Sequence, residues 1–570
     1  MDRFLVLYLN SRTATQSNQA TSQPNLIRVG QSNVKVVANE SELAHRLLDG
    51  EQSIEAIMHS PHELDTLNTA NYTDESTTLF EEQQVAVSGS AVIMGQNDQQ
   101  NFAAKSRQFV LISAVYSAKS RIYSDNKFVL LINAPVGGEI ESTTFVAKST
   151  NGTDHSQQNF ALFRAAPPNE FCKWTIYMAV FDSVAYPTSL SLGYGATGVN
   201  VEIERQYLKK RVQVGTCLSP LFMTEHWQLV VLAIEIYRHY GIKLQVVYLM
   251  SAIESIYKIL KVYNQKDVIQ IEPWFSIELD GPKRVENANL ELDWRNQAAA
   301  HTDCLIKYGY AAEFLIVGDI DDILVPDHGT YYEEFIQNDF RRLKNSLAFL
   351  YTRFTVEIDS TRNPSKFLLF DALASAKVAL YQPDDPKYVV NTSRAESLWI
   401  HKPYVAKPYT ANKNVPSIKG RMFHFREWHF LEDDNDIIKT ENENKNKRAG
   451  RAWTATPLIE TFISTKTAQR IGQRFEEQIL KRNFEFFRKL PKRMFYYKEL
   501  VDCYDRIFYS IDKQVTSCPG PHRCNIKPIY GLNCVIAKRI FYGQKLASDI
   551  ILYIAPNKGT FHLSKAGCTL

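Results

Sequence analysis

No stretch of the 570-residue chain approaches the roughly 18–20 consecutive apolar residues that cross a bilayer as a helix. The apolar stretch near the amino terminus, Phe4 to Leu9, holds six residues and is short even for the apolar part of a signal peptide. An excess of one charge is also missing. Lys and Arg number 65 against 62 Asp and Glu, a formal net charge of +3, which gives no electrostatic ground for a nucleic-acid partner. No Cys-x-x-Cys pair and no Cys/His zinc spacing occurs, which argues against a structural metal framework. No internal repeat is visible. With 45% hydrophobic and 22% charged residues, neither a fully disordered nor a collagen-like chain fits.

What is present suits a large core. Aromatic residues reach 12%, with 29 Tyr and 31 Phe. The length admits about two to four domains. Eight cysteines occur, and five of them, Cys503, Cys518, Cys524, Cys534 and Cys568, fall in the last 70 residues. Four N-x-S/T sequons stand at Asn39, Asn71, Asn151 and Asn391. Cysteines and sequons together favour the lumen of the secretory pathway, with disulfides of unknown connectivity.

Sequence texture divides the chain into four parts. Residues 1–105 are polar and Gln-rich, interrupted by one helical stretch near Glu42 to Met58, and read as a flexible, stem-like region. Residues 106–205 carry short β-branched and apolar runs separated by turns, such as Phe109 to Tyr116 and Phe128 to Ile132, and read as a β-rich accessory domain. Residues 206–480 alternate strands and helices, which implies a mostly parallel sheet. Within them, Thr224 is the expected cap of a helix that presents Trp227, Val230, Val231, Ile234 and Tyr237 on one face and ends at Gly241. Residues 481–570 begin helical and basic and become cysteine-rich.

The segment that carries chemistry is Phe314-Leu315-Ile316-Val317-Gly318-Asp319-Ile320-Asp321-Asp322. A buried strand ends there in three carboxylates within four residues, at the sheet end where open α/β folds bind ligands. Carboxylates so close repel one another unless a cation neutralises them. Mg²⁺ or Mn²⁺, which take oxygen ligands and then phosphate oxygens, would do so. Two chemistries share the pattern. Asp319 and Asp321 hold a metal that clamps a nucleotide-sugar diphosphate, or Asp319 is a phosphatase nucleophile with Asp321 as its acid/base partner, as in haloacid-dehalogenase-like enzymes. In the latter case Asp433, Asp434 and Asp436 stand in for distal metal-binding acids.

The flanking residues resemble glycosyltransferase family 92. Cys217-Leu218-Ser219-Pro220-Leu221 with Trp227 is similar to its opening strand and helix, and Arg295-Asn296-Gln297 with Asp303-Cys304 to its R-x-Q…D-C helix. Asp319-Ile320-Asp321-Asp322 falls at its acidic motif. Lys387-Tyr388-Val389-Val390 with Trp399-Ile400-His401 resembles a later strand-and-His segment, and His424-Phe425-Arg426 its H-Y-R segment. The resemblance spans roughly 105–430.

The resemblance implies an α/β fold with a doubly wound mixed sheet of the GT-A type, preceded by the β-rich domain and followed by a cysteine-containing helical tail. It implies transfer of a sugar from a UDP-sugar, UDP-galactose in characterised members, to a glycan or glycoprotein acceptor with Mn²⁺. It also implies a Golgi location and an amino-terminal membrane anchor, which is not visible in this sequence. Asp319 and Asp321 become metal ligands, with His401 or His424 as the late histidine ligand. Gln297, Asp303, Asp322, Lys387 and Arg426 become donor-site residues. An inverting transferase further needs a carboxylate base. The candidates are Glu357, Asp359, Asp384, Asp385 and Glu396, with Glu357 and Asp359 favoured because they follow the apolar run Leu347 to Phe354. A non-catalytic glycan-binding relative that kept the fold is the remaining alternative.

Overall fold

The computed structural model describes residues 106–569, apart from 281–286, 328, 337–339, 341, 342, 344, 418, 432–455 and 510–516. The stem-like region and the three acids Asp433, Asp434 and Asp436 lie outside the described residues.

The first part of this chain is a two-sheet sandwich. Its strands are β1 (Arg107–Ser117), β2 (Lys127–Pro135), β3 (Thr144–Thr150), β4 (His155–Ala161), β5 (Phe163–Arg164), β6 (Trp174–Asp182), β7 (Ser189–Tyr194), β8 (Thr197–Val201) and β9 (Glu204–Arg205). One sheet contains β1, β2, β6 and β5, and the other runs β4-β3-β7-β8. β1 is buried on both faces. Phe109 and Leu111 join a core with Phe145, Phe160 and Phe181, whereas Val110 and Ile112 join one with Ala299 and Leu315 of the neighbouring α/β region. Side chains alternate across a strand, so burial on both faces requires the near-continuous apolar run seen in β1 and β2.

The α/β region follows with β10 (Val212–Leu221), β11 (Gln245–Leu249), β12 (Ser251–Ile253), β13 (Ile269–Pro273), β14 (Glu278–Leu279), β15 (Ala312–Gly318), β16 (Asp322–Val325), β17 (Ser346–Thr361), β18 (Lys377–Asn391), β19 (Ala411–Val415), β20 (Arg421–Leu431) and β21 (Thr456–Pro457). Its principal helices are α1 (Trp227–His239), α2 (Glu254–Gln265), α3 (Gln297–Tyr308), α4 (Leu369–Ser375) and α5 (Thr465–Phe475). The main sheet runs β13-β11-β10-β15-β18-β17-β20-β16. β10, β11 and β13 are parallel and add outward in one direction; β15, also parallel, is then laid on the other side of β10. That reversal leaves a crevice outside the carboxyl ends of β10 and β15. Past β15 the sheet becomes mixed, with β18 antiparallel to both β15 and β17. The fold is thus mixed α/β. Helix α1 buries the expected Trp227, Val230, Val231, Ile234 and Tyr237. Its cap differs from expectation: Thr224 is held in a bridge with Ala252, its N–H on Ser251, and the helix begins after His226.

The tail departs further from a helical extension. After α6 (Tyr497–Tyr504) it supplies β22 (Cys534–Lys538), β23 (Ile540–Ala547), β24 (Ile550–Ile554) and β25 (Thr560–Ser564). β24 lies parallel against β1, and β22 pairs with β12. Boundaries at 205 and 480 therefore cut through shared sheets and cores. The physical reason is that the tail strands complete edges that β1 and β12 would otherwise leave largely open. All eight cysteines are paired, as Cys172–Cys518, Cys217–Cys304, Cys503–Cys524 and Cys534–Cys568. Glu225, just before α1, accepts hydrogen bonds from the N–H groups of Phe495, Tyr496 and Tyr497 and so caps the start of α6.

One buried cation ties sandwich to sheet. The Lys307 ammonium on α3 lies 2.8 Å from Glu204 of β9, 2.8 Å from Asp303 and 3.9 Å from Glu272 of β13. Removing one partner of a buried charge group leaves the rest uncompensated. Lys307→Met is therefore expected to destabilise the chain by about 3–5 kcal/mol in urea unfolding; a loss well under 1 kcal/mol would show that the cluster is solvated.

Candidate active site

β15 delivers the acidic turn into the crevice. Its side chains alternate between two cores, Phe314 and Ile316 on one face, Leu315 and Val317 on the other. The strand therefore has no freedom to slip, and Gly318 ends it. A Cβ on Gly318 would stand 3.3 Å from the Asp322 Cβ, so a side chain there would press on the turn. The turn is closed by the Asp322 N–H on the Asp319 carbonyl (3.1 Å) and the Asp319 N–H on Asp322 Oδ2 (3.2 Å). The Phe425 N–H donates to the Asp321 carbonyl at 2.9 Å, and Tyr237 Oη to that of Asp322 at 2.8 Å.

Each carboxylate has its own cation. Asp322 is fully buried; its Oδ1 accepts from Arg353 Nη1 at 3.0 Å and its Oδ2 lies 3.7 Å from Lys387 Nζ. Asp319 Oδ2 is 2.9 Å from Lys387 Nζ, and its Oδ1 accepts from Gln297 Nε2 at 3.0 Å. Gln297 Nε2 also reaches Ser219 Oγ at 2.5 Å. Asp321 Oδ2 is 3.3 Å from His424 Nε2, and Nδ1 of the same ring is 2.9 Å from Asp384 Oδ2. Register explains why His424 reaches the acidic turn: His424 of β20 stands opposite Asp322 of β16.

The charges follow from these contacts. Burial pushes the Asp319 carboxyl up, but the Lys387 ammonium, helped by Ser219 and Arg295, holds it well below the usual carboxylate range. Asp321 is lowered against burial by His424. Asp322 is raised, since burial outweighs Arg353 and Lys387. Burial would discharge His424, yet Asp321 and Asp384 on its two sides raise it to about 10. At neutral pH it is an imidazolium between two carboxylates.

Asp321, Asp322 and His424 offer ligand atoms within 4.8 Å of one another. Two carboxylates and an imidazole suit a divalent cation, which would take over the charge that the His424 proton now supplies. Of the expected ligands, Asp321 and His424 fall in this group. Asp322, expected beside the donor, joins them. Asp319 is engaged with Lys387 and Gln297. His401 is not in the group: its Nδ1 faces the Pro386 carbonyl at 3.1 Å, and burial, with Lys387 nearby, lowers it to about 4, so the ring is neutral.

Gln297 and Lys387, expected at the donor site, both contact Asp319 of the acidic turn. Asp303 does not. Its Oδ2 accepts from Tyr248 Oη at 2.7 Å and pairs with Lys307, so it belongs to the buried charge cluster under the sheet. Arg426 is exposed, two positions past His424 on β20. Glu357 and Asp359 alternate with buried Val356 and Ile358 on β17, and so share the more open face with Arg353 and Thr355. Thr355 pairs with His424, which puts Glu357 two positions along from the site. Glu396 accepts from Tyr123 Oη at 3.2 Å.

Other residues at the site carried little signal of their own. Arg353 reaches Asp322 from a strand two places away in the sheet. His226 has a buried Nε2 without a partner and a ring 4.3 Å from that of Trp428; burial lowers it to about 3, partly opposed by Asp321. Arg295 was visible only as part of the R-x-Q pattern.

The raised His424 has a consequence for stability. A group whose folded pKa lies above its unfolded value of 6.5 stabilises fully below that value and loses the contribution as pH rises through about 10. Without added metal, the urea midpoints of the natural chain and of His424→Gln should therefore differ most near pH 6 and converge toward pH 10. A difference that stays constant with pH would remove the ion-pair reading.

Comparison with known proteins identifies the family. The model of glycosyltransferase family 92 matches residues 212–477, which include the acidic turn, Lys387 and His424. Three glycosyltransferase family 92 proteins of Caenorhabditis elegans are similar over much of their length. One is 31% identical over 484 residues, covering 82% of this chain and 90% of the relative. A second is 28% identical over 368 residues, covering 62% and 68%, and a third 26% identical over 457 residues, covering 78% and 88%. With its mixed α/β sheet, its acidic turn and this coverage, the chain belongs to glycosyltransferase family 92.

Proposed function

We propose that the chain transfers galactose from UDP-galactose to a hydroxyl of a glycan or glycoprotein acceptor, with Mn²⁺ at the acidic turn. The observation that carries this reading is the acidic turn itself: three carboxylates and His424, at the carboxyl end of β15, where the order of strand addition reverses. The residues that would hold the cation are Asp321 and His424, with Asp322 adjoining. When bound, the cation supplies positive charge to the diphosphate that leaves with the nucleotide.

The chain's own residues do the rest. Lys387 keeps Asp319 charged, and Arg353 fixes Asp322 in place, before any donor arrives, so little reorganisation is needed on binding. Asp384 holds the His424 ring by Nδ1, leaving Nε2 directed at Asp321. A carboxylate must accept the proton of the attacking hydroxyl. Glu357 suits this role, since it lies on the open face of β17 beyond His424, with Asp359 next along the same face. A lumenal, Golgi location is supported by the four disulfides, which persist in oxidising compartments. Among the described residues no helix is long and apolar enough to cross a membrane. The phosphatase alternative sits poorly with the topology, because β10, β11 and β13 precede the acidic strand, whereas that chemistry uses the first strand.

Calorimetric titration of UDP into the full chain tests the donor site. Binding is expected with Mn²⁺, and not with EDTA or in a folded Asp321→Ala variant; equal affinity in all three sinks the metal assignment. Release of UDP from UDP-galactose with glycan acceptors tests the base. Glu357→Gln is expected to lower kcat by about 10²–10⁴-fold with UDP affinity unchanged. A full-rate Glu357→Gln beside an impaired Asp359→Asn would transfer the role to Asp359.

A further inference from the structure

Three successive residues ahead of α3 adopt left-handed backbone: Trp294 (φ 42°, ψ 55°), Arg295 (φ 64°, ψ 27°) and Asn296 (φ 59°, ψ 36°). None is glycine. Side-chain-bearing residues avoid this region because Cβ crowds the following carbonyl, and a run of three persists only where the surroundings over-determine it.

The surroundings here do so. The Trp294 N–H donates to the Pro519 carbonyl at 2.8 Å, and Trp274 Nε1 to the Arg295 carbonyl at 3.1 Å. The buried amides of Asn296 and Asn133 exchange two hydrogen bonds, of 2.6 and 3.1 Å. The Trp294 ring lies 5.8 Å from both Tyr504 and Phe508. Pro519 is itself fixed, since the preceding Cys518 is bonded to Cys172 and its carbonyl accepts from Arg523 Nε. The clamp thus comes from the sandwich and from the tail beyond residue 477, where the family match ends.

What the turn presents is the Arg295 side chain. Its guanidinium lies 4.1 Å over the Phe222 ring, and its buried Nε has no hydrogen-bond partner. Two residues further on, Gln297 Nε2 donates to Asp319 Oδ1 at 3.0 Å, so the turn that carries Arg295 abuts the acidic turn. Yet among the described residues the Arg295 guanidinium forms no ion pair, whereas Lys387 and Arg353 are both committed to the acidic turn. A guanidinium stacked by its face on an aromatic ring keeps its edge N–H groups free, and that planar fork matches two phosphate oxygens at once.

We propose that Arg295 binds the diphosphate of the nucleotide donor, and that the left-handed turn, clamped by the disulfide-tethered tail, holds it in place to do so. The assignment rests on the donor reading above. UDP is titrated calorimetrically into the full chain with Mn²⁺, in the natural sequence and in Arg295→Gln and Arg295→Lys. Arg295→Gln is expected to bind UDP about 10- to 100-fold more weakly, the loss of charge-assisted hydrogen bonds. Arg295→Lys should recover part of this, because it restores the charge without the fork. Binding of Mn²⁺ alone, followed by electron paramagnetic resonance of the free ion, should be unchanged in both. The double substitution Cys172→Ser and Cys518→Ser, which frees Pro519, should weaken UDP in the same direction. Adding Arg295→Gln to it should then cost less than in the natural background. If Arg295→Gln alone fails to fold, the cysteine double variant by itself keeps the test open: UDP affinity equal to that of the natural chain in it overturns the clamp. If the natural chain binds UDP and Arg295→Gln binds it equally well, this assignment falls and the donor reading stands. If the natural chain binds no UDP, both fall.

Discussion

The structure depends on one ammonium group. Lys387, itself buried, stands between Asp319 and Asp322 at the end of β15, just past the apolar run Phe314 to Val317. Three carboxylates at that point would repel one another and resist burial, by several kcal/mol per charge once desolvation is counted. Strand pairing supplies the remedy. β18 runs antiparallel to β15, with Tyr388 opposite Val317, so the residue before Tyr388 falls beside Gly318 and the turn. Arg353 of the next strand compensates Asp322 from the other side, and His424 compensates Asp321. The mixed half of the sheet is thus what makes the acidic end of the parallel half affordable in energy.

These compensations account for which parts were legible in the sequence. The strand ending in Gly318-Asp319-Ile320-Asp321-Asp322 announced itself by composition, because a strand buried on both faces needs an unbroken apolar run and the acids interrupt it abruptly. The alternation of strands and helices from β10 to α3 was legible for the same reason. The choice between His401 and His424 was not. Both follow a strand-like segment, and only the register of β20 against β16 turns one ring toward the acids, while the other faces a backbone carbonyl. Asp303 misled because it is itself part of the D-C pair that resembles the family pattern. The sign of its real role was local: Lys307 stands four residues on, on the same helix face.

The tail was the least legible part. Its cysteines signalled cross-links without saying to what, and its strands are short and half exposed, so their pattern is weak. What defines them is distant in sequence: the edges of β1 and β12, which they complete. Pairings of such long separation leave no periodicity behind, since periodicity reports a segment's own environment and not its partner's identity.

That remoteness has a physical use. Residues 294–296 are strained, and a strained turn relaxes unless several elements fix it independently. Here two hydrogen bonds come from the sandwich through Asn133, one from the α/β region through Trp274, and one from the tail through Pro519. No single element could hold the turn alone, because each bond by itself is worth about 1 kcal/mol. Gln297, the first residue of α3, depends on the same turn for its reach to Asp319 and Ser219. The sandwich and the tail therefore act on the acidic turn without touching it. They fix the backbone from which Gln297 approaches Asp319, much as Lys387 fixes Asp319 from the opposite side.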